Sequence, residues 1–411
     1  MRAARAEDRD SRPEGPAAPV PSYAWVILAV AYVASVAAPL NQFKVPPVLP
    51  VLMEAFHLNL GGAGWLMSVF AITGFLLALP AGLILQRLGL KGTGLIAMGC
   101  LLAGSVLGAI SSTAGWMLAS RVIEGTGMGL IAVMAPAAIA LWFPRERQAL
   151  PMGIWATWVP LGSVLMLVLA PALSAASGWQ SVWWFGAGFA LLAFVLVLFW
   201  MRTPPPAPTT TEASGDPPPP VTGDLRTALS NRSIWLLGAT FGCFNWVLIA
   251  MSTYLPTFLA EARGYTMAGA SFTASLTMIT VLVSAPLAGV LSDRIGSRKA
   301  LFTWPFLAVA VMMAFPFTVT GTLIPTWMLL MGIVAGLIPT ATFAAAPEIM
   351  GRPELAGMGM AVVAFGQNLG MFIGPAVFGA LAQSSGYPVA GYAMIPVLLL
   401  GLLCGWLVKV R

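Results

Sequence analysis

Apolar residues fall into twelve long segments along the chain, separated by short stretches of charged residues, glycine and proline. Each segment is close to the ~20 residues that a helix needs to cross a bilayer. The pattern therefore predicts twelve transmembrane helices. The predicted segments are 23–45, 61–84, 92–112, 115–142, 149–174, 179–201, 233–258, 267–291, 299–319, 323–346, 357–382 and 388–408.

A single long polar stretch divides these segments into two sets of six. Residues 203–226 are rich in proline, threonine and glycine and include the run Pro217-Pro218-Pro219-Pro220, a composition typical of a semi-extended linker. The sequence thus predicts an N-terminal six-helix bundle at 23–202 and a C-terminal one at 227–409. Residues 1–22 form a polar tail that we expect to be disordered.

Composition places the chain among membrane proteins. Only 8% of its residues are charged and 59% are hydrophobic, whereas a soluble domain has roughly 25% charged residues. With both termini on one side, 17 of the 20 lysines and arginines fall on that side. The positive-inside rule then predicts an inner-membrane protein with cytoplasmic termini. The three exceptions are Lys44, Arg121 and Arg263.

The two halves share a repeat. The stretch GLILQRLGLK begins at Gly82, and GVLSDRIGSRK begins 207 positions later at Gly289. The triplet Gly-Leu-Ile occurs at Gly129 and again, also 207 positions later, at Gly336. A constant offset indicates a duplication. Duplicated halves around a central cavity are typical of secondary transporters, with the substrate site near the midplane.

These motifs resemble those of the major facilitator superfamily, over about 23–408. GVLSDRIGSRK is similar to its loop motif, RVIEGTGMG from Arg121 to its fourth-helix motif, and the stretch from Gly370 to Pro375 to its antiporter-type G-x-x-x-G-P motif. The resemblance implies two pseudo-symmetric six-helix bundles. Within the superfamily, the compact size resembles the cyanate/nitrate-type and small organic-anion porters.

The resemblance also implies roles for particular residues. Asp293 would form a gating ion pair with basic residues of a neighbouring helix; the alternative is a basic loop that only sets topology. Because the first-half copy has Gln86 in place of an acid, we predict an asymmetric gate. The expected gating residues are Gly82, Arg87, Gly89, Gly289, Asp293, Arg294, Gly296 and Arg298. The expected helix-packing residues are Gly125, Gly127, Gly129, Gly370, Gly374 and Pro375.

Two ionisable residues, Arg121 and Glu124, lie inside the fourth segment, three positions apart on one helix face. Charged groups at membrane depth cost several kcal/mol unless they are paired or face a water-filled cavity. One interpretation is a self-neutralised structural pair. The other is that Glu124 couples transport to protons, since a carboxylate in the membrane interior can bind and release a proton as access alternates.

Lys44 lies toward the outer end of the first segment, just before Pro46 and Pro47. It could simply extend to the outer membrane interface. The prolines, however, predict an interrupted helix with exposed carbonyls, which often lines a transporter cavity. If Glu124 neutralises Arg121, Lys44 is left without a buried counter-charge, and a bound anion would supply one. We expect the three side chains to meet at one central cavity.

Uncharged polar and aromatic residues inside apolar segments complete the predicted substrate site. Each of them taken singly is more often a helix–helix contact than a ligand contact. The predicted substrate-binding residues are Asn41, Lys44, Arg121, Trp155, Asn245, Gln367 and Asn368.

These features together predict a secondary active transporter, not an enzyme, that moves a small anionic solute by rocker-switch alternating access, with protons as the candidate coupling ion in symport or antiport. We expect a monomer in the lipid bilayer, with no cofactor, metal or nucleic-acid partner. The sequence has no GxxxxGK[ST] phosphate loop, so ATP is not the expected energy source. There are two alternatives. One is an exporter of drugs or other lipophilic compounds, since many methionines and tryptophans can form an adaptable apolar cavity. The other is a non-transporting membrane sensor.

Overall fold

The computed structural model describes residues 20–204 and 230–409, except 79, 145–146, 296–297 and 352–354. Its elements are helices. They are α1 Ser22–Gln42, a 3-10 turn Pro46–Val48, α2 Leu49–Ala55, α3 Leu60–Leu77, α4 Pro80–Ala109, α5 Ala114–Trp142, α6 Ala149–Ala156, α7 Trp158–Ser177, α8 Gln180–Trp200, α9 Arg232–Arg263, α10 Met267–Ile295, α11 Arg298–Met312, α12 Leu323–Ala335, α13 Leu337–Met350, α14 Ala356–Ser385, α15 Tyr387–Tyr392 and α16 Met394–Leu407.

The predicted all-helical membrane fold is confirmed. Eleven helical spans in the described part are long and apolar enough to cross a membrane, and Thr303–Met312 is a shorter apolar helix. Several predicted spans are interrupted. The first breaks at 43–45, the fifth at Thr157 and the tenth at Gly336, so each is built from two helices. The predicted tail lies almost wholly, and the linker mostly, outside the described residues.

The chain crosses repeatedly between two faces of the molecule. One, here called the terminal face, holds the start of α1, the end of α8, the start of α9 and the end of α16. Hydrogen bonds join these ends in pairs: the Tyr23 hydroxyl donates to the Trp200 carbonyl at 2.7 Å, and the Lys409 amide to the Ser233 hydroxyl at 3.3 Å. The opposite face, here called the loop face, carries the turns at Gly178, Gly264 and Gly386.

The duplication is visible in the helix contacts. A Cβ added at Gly125 in α5 would meet the Phe70 carbonyl and the Thr73 hydroxyl of α3. A Cβ at Gly332 in α12 would meet the Thr277 carbonyl and the Thr280 hydroxyl of α10. Every atom in the second contact lies 207 residues after its counterpart in the first. The same backbone-on-backbone packing is thus built twice.

Glycines also fix the closest helix pair of the second half, α9 against α14. A Cβ at Gly370 would lie 3.0 Å from the Trp246 nitrogen and would meet the Gly242 carbonyl, while one at Gly374 would meet the Trp246 carbonyl. Small residues of this kind let two membrane helices approach closely. In the first half Gly129 of the predicted packing set lies against α3, and Gly127 against α4.

The two halves are closed at the loop face. Residues 34–49 of the first half and 249–259 of the second are buried throughout. The Tyr254 hydroxyl of α9 donates to the Leu60 carbonyl of α3 at 2.7 Å, in a slot between Gly64 and Gly379. Near it, the Gly61 amide donates to the Gln383 side chain at 3.1 Å. Hydrogen bonds across the halves therefore seal this end.

Toward the terminal face the halves diverge. A cleft of about 210 Å³ opens between α6–α7 of the first half and α10 and α13 of the second. Its lining residues are Gly153, Ala156, Thr157, Pro160, Val281, Leu282, Ala285 and Thr340. The described cleft therefore lies toward the terminal face, while hydrogen bonds join the two halves at the loop face.

The predicted gating motif is only partly described. Gly89 has a φ of +68°, which glycine adopts readily, and it turns the chain within α4. Arg87 beside it is exposed. Gly82 has open space around its Cα. The side chains of Asp293, Arg294 and Arg298, together with Gly289 and Gly296, lie outside the described environment, so the asymmetric gate stays a prediction.

The packing makes the effect of adding one methyl group to α14 depend on its position. Gly370→Ala would force the α9 backbone away, and we expect a loss of about 1–3 kcal/mol in stability. Gly357→Ala in the same helix meets nothing within 4 Å and should be neutral or stabilising by up to about 1 kcal/mol. Apparent melting temperatures in detergent check this; equal shifts for both variants would contradict the contact.

Candidate functional site

The site begins with the break in the first span. α1 ends at Gln42, and three non-helical residues precede the turn Pro46–Val48. Proline lacks an amide hydrogen and cannot donate to the preceding turn. Carbonyls at the end of α1 are therefore left without the usual helical partners. Lys44 lies within this break and its side chain is fully buried.

Arg121 of α5 supplies the missing donors. Its Nη1 donates to the Asn41 carbonyl at 2.8 Å and its Nη2 to the Gln42 carbonyl at 2.9 Å, both at the end of α1. Its Nε donates to the Leu66 carbonyl of α3 at 3.1 Å. The guanidinium also lies 4.6 Å from the centre of the Phe70 ring. A planar group with five donors thus joins three helices at the interruption.

Glu124 is shared between two cations. Its Oε2 accepts from Nη1 of Arg121, and its Oε1 forms an ion pair with Nζ of Lys44. All three side chains are fully buried. This corrects two expectations: Lys44 does have a buried counter-charge, and it does not extend to the outer interface. One carboxylate serves both cations because Lys44, at the break, comes within reach of α5.

The three charged side chains meet, but not on a cavity. They lie inside the first half, and none is exposed to the cleft. The expectation that they face a central cavity is therefore wrong for this state of the protein. At the loop face the second half packs over the turn that follows the break, and the charged side chains have no contact with water.

Two further helices enclose the network with residues that the sequence analysis missed. The Ser105 hydroxyl of α4 lies 2.8 Å from Glu124 Oε1, 2.7 Å from Asn41 Oδ1 and 3.0 Å from Lys44 Nζ. In α8, a Cβ on Gly186 would lie 3.2 Å from Lys44 Nζ. A serine and a glycine in apolar helices are common, so only their position beside the charges distinguishes them.

The network carries one uncompensated positive charge, from two cations and one carboxylate. These are the only charged residues buried in the described part of the chain. For the rest of this article the charged network means Lys44, Arg121 and Glu124 with Asn41 and Ser105.

Among the described residues of the second half there is no such buried charged network. The offset of 207 residues puts Met328 and Met331 in the places of Arg121 and Glu124, and both are buried. For the first helix of each half the offset is 206 residues. In the first half Gly162 lies against the Val36 carbonyl and the Leu40 nitrogen. In the second half Gly370 lies against the Gly242 carbonyl and the Trp246 nitrogen. Ala250 then corresponds to Lys44, and it is also buried. Comparing the repeats in the sequence would have shown this asymmetry.

The other predicted substrate contacts form separate groups. In the second half, Gln367 Nε2 is 3.5 Å from Asn245 Oδ1, and Asn245 donates to the Phe241 carbonyl at 2.9 Å. Asn368 donates to the Ala364 carbonyl at 2.9 Å and lies beside Gly74 of the first half.

Trp155 lies at the end of α6, next to the cleft. Its indole donates to the Ser35 hydroxyl at 2.9 Å and stacks on Trp158 with ring centres 5.6 Å apart. The polar side chains that line the described cleft are Thr157 and Thr340.

Arg121→Met should be strongly destabilising, because it leaves Glu124 with one cation and removes the donors that satisfy three carbonyls. Breaking a buried ion pair typically costs about 3–5 kcal/mol. Arg263→Met is the matched control, because Arg263 at the end of α9 has no carboxylate partner among its described contacts. It makes 3.3 Å hydrogen bonds to the Phe317 and Thr318 carbonyls and lies 5.0 Å from the centre of the Phe258 ring. Thermal unfolding in detergent measures both; a loss at Arg121 no larger than at Arg263 would show that the network does not hold α1.

Several relatives align with most of this chain. The "Probable sulfoacetate transporter SauU" of Cupriavidus necator is 23% identical over 84% of both chains. The "Nitrite extrusion protein" of Bacillus subtilis is 24% identical over 82% of both. The "Methylenomycin A resistance protein" of Streptomyces coelicolor is 22% identical over 86% of both.

Structural and family comparisons agree on the fold. A bacterial homologue of the human lysosomal transporter Spinster superposes with a TM-score of 0.78, covering 94% of this chain and 97% of its own, at 15% identity. The family model described as Major Facilitator Superfamily matches residues 31–274 and 267–411. With two matching halves around a cleft, the chain belongs to the major facilitator superfamily, a family of non-enzymatic membrane transporters.

Proposed function

We propose that this protein carries a small organic anion across the inner membrane, with both termini cytoplasmic. The observation that carries the proposal is the uncompensated positive charge of the network. Burying net charge in the membrane interior costs several kcal/mol, and an anion bound nearby would offset part of that cost. The second half keeps methionine and alanine at the corresponding positions, so duplication and packing alone do not require this charge.

The sealed state suggests when the anion would meet the charge. Lys44 lies in the break between α1 and the turn Pro46–Val48, and that turn packs on α9 and α10 of the other half. When the halves separate at the loop face, these contacts open first and the break becomes accessible. An anion entering there would find Lys44 and Arg121 in front of it and the amides of Asn245 and Gln367 on the opposite half.

The terminal face is then the cytoplasmic one. Exposed basic residues lie there in the described part, among them Arg87, Lys91, Arg202, Arg232 and Lys409. The positive-inside rule assigns such a face to the cytoplasm. The structure would then represent the inward-open state. Protons enter the proposal through the Lys44–Glu124 pair, because a buried ion pair changes its charge when it gains or loses one.

The names of two relatives support an anionic solute. Sulfoacetate and nitrite are both small anions, and the proteins named for them align with more than four fifths of this chain. Sequence identities of 23% and 24% do not transfer a substrate. They make these two anions suitable first probes.

Lys44→Met should reduce anion uptake at least about tenfold, because it removes the positive charge that has no second carboxylate to balance it. Uptake of sulfoacetate, nitrite and a set of small carboxylates is measured in proteoliposomes. Lys409→Met removes an exposed lysine at the end of the chain and should leave uptake unchanged.

Two results would contradict the proposal. One is an absence of uptake for every anion in the set by the wild-type protein. The other is equal uptake by the Lys44→Met and wild-type proteins, when both elute as single species of the same size from gel filtration.

An exporter of lipophilic compounds is the second candidate. Two relatives favour it: the methylenomycin A resistance protein, and the multidrug transporter mfsC of Aspergillus fumigatus, which is 30% identical over 35% of this chain. The 22 methionines and 15 tryptophans of the chain suit adaptable apolar binding surfaces.

A thermal-shift screen of the purified protein separates the two candidates. Small organic anions should raise the apparent melting temperature, because ligands that bind the folded state stabilise it. Hydrophobic cations should leave it unchanged, since the buried excess charge repels them. The reverse pattern would favour the exporter.

A further inference from the structure

We propose that Lys44, and not Glu124, is the group that gains and loses a proton during the transport cycle. The inference deepens the proposed function, since it names the atom that couples transport to protons. It rests on the geometry around the three charged side chains, which have different hydrogen-bond and ion-pair partners.

Glu124 lies between the two cations of the network. Both of its oxygens lie against cations, Oε1 against Lys44 and Oε2 against Arg121, and the Ser105 hydroxyl is also within hydrogen-bond distance. Protonating Glu124 would leave two buried cations with no counter-charge.

Arg121 cannot release a proton in a protein. Its guanidinium is moreover engaged by the carbonyls of Leu66, Asn41 and Gln42 and by Glu124. These partners all accept hydrogen bonds, so they stabilise the charged form. The ion pair of Arg121 with Glu124 has no net charge.

Lys44 is the remaining charge, and the described residues around it include no second acid. From α4 it meets Ser105, from α5 Glu124 with Arg121 beyond it, and from α8 Gly186 and the Trp183 ring. A buried lysine changes its protonation state readily. Loss of the proton from Nζ gives a neutral amine and one released H⁺, and it removes the net charge of the whole network.

The charge balance sets the coupling. With Lys44 protonated the network carries one positive charge, and a monovalent anion bound next to it makes the site neutral. With Lys44 neutral the network needs no anion. Proton and anion therefore favour each other's binding by linkage, and one proton accompanies each negative charge. Either the loaded or the empty network can be buried at low cost, whereas a proton alone cannot.

Closure of the loop face over Lys44 should therefore depend on pH even when no substrate is bound. The sealed state keeps Lys44 away from water, and without its extra proton the network has no net charge to bury. Raising the pH should favour closure, by up to about tenfold in the closed-to-open ratio per pH unit for one proton. Lowering the pH should favour opening.

The experiment measures loop-face closure directly and uses no anion. Spin labels are placed on cysteines introduced at Glu54 and Ser384, two exposed loop-face positions on opposite halves. The background has Cys100, Cys243 and Cys404 replaced by alanine, and its melting temperature is matched to the wild type. Distance distributions are recorded by pulsed electron resonance in nanodiscs between about pH 5 and 10.

The expected result is a single pH-dependent shift from open to closed populations. Lys44→Met, which mimics the neutral amine, should stay closed at every pH. Lys44→Arg, which keeps the charge permanently, should stay shifted toward open at every pH. Loss of structure would not produce two opposite, pH-independent populations, so this pair of variants separates titration from simple damage.

Three results would overturn the inference. They are a wild-type distribution that does not change with pH, a pH-dependent shift that survives in Lys44→Met or Lys44→Arg, and the same population in both variants. The outcome is independent of whether any anion is transported. Failure of anion uptake with an intact pH shift would instead remove the proposed substrate class and leave Lys44 as the proton-binding group.

Discussion

The interaction on which the rest depends is the one between Arg121 and the broken end of α1. A helix that stops inside the membrane leaves carbonyls that lipid cannot satisfy. Arg121 donates to two of them and to a third on α3, while Glu124 neutralises it from the same helix face. The interruption at 43–45 can therefore persist at membrane depth. Without the guanidinium, the chain would have to continue the helix or expose the break to water.

This arrangement places a buried charged residue, Lys44, directly before the segment that packs against the second half. The segment that follows the break packs against the second half and forms part of the closed loop face. Any change in the charge of Lys44 acts on the segment that the other half covers. The described cleft lies on the other side of the molecule, away from the buried network.

The duplicated halves share their packing and differ in their chemistry. Gly125 and Gly332 make equivalent contacts with α3 and α10, and Gly162 and Gly370 make equivalent contacts with α1 and α9. These contacts join backbone to backbone, so any side chain there would separate the helices, and both copies must keep glycine. The positions of Arg121 and Glu124 hold methionine in the other copy. A buried methionine packs without needing a partner, so the charged version exists in one half only and makes the carrier asymmetric.

The sequence by itself determined the twelve-span architecture, the two halves and the family motifs, because the bilayer requires long apolar segments and a repeat survives as a constant offset. It also indicated Lys44, Arg121 and Glu124, since charges are rare in such segments. It could not decide how they pair. Three charges on two helices admit several pairings, and the choice depended on where α1 breaks. Only the tertiary structure placed Ser105 and Gly186 beside them, and only the closure of the two halves buried all three from water.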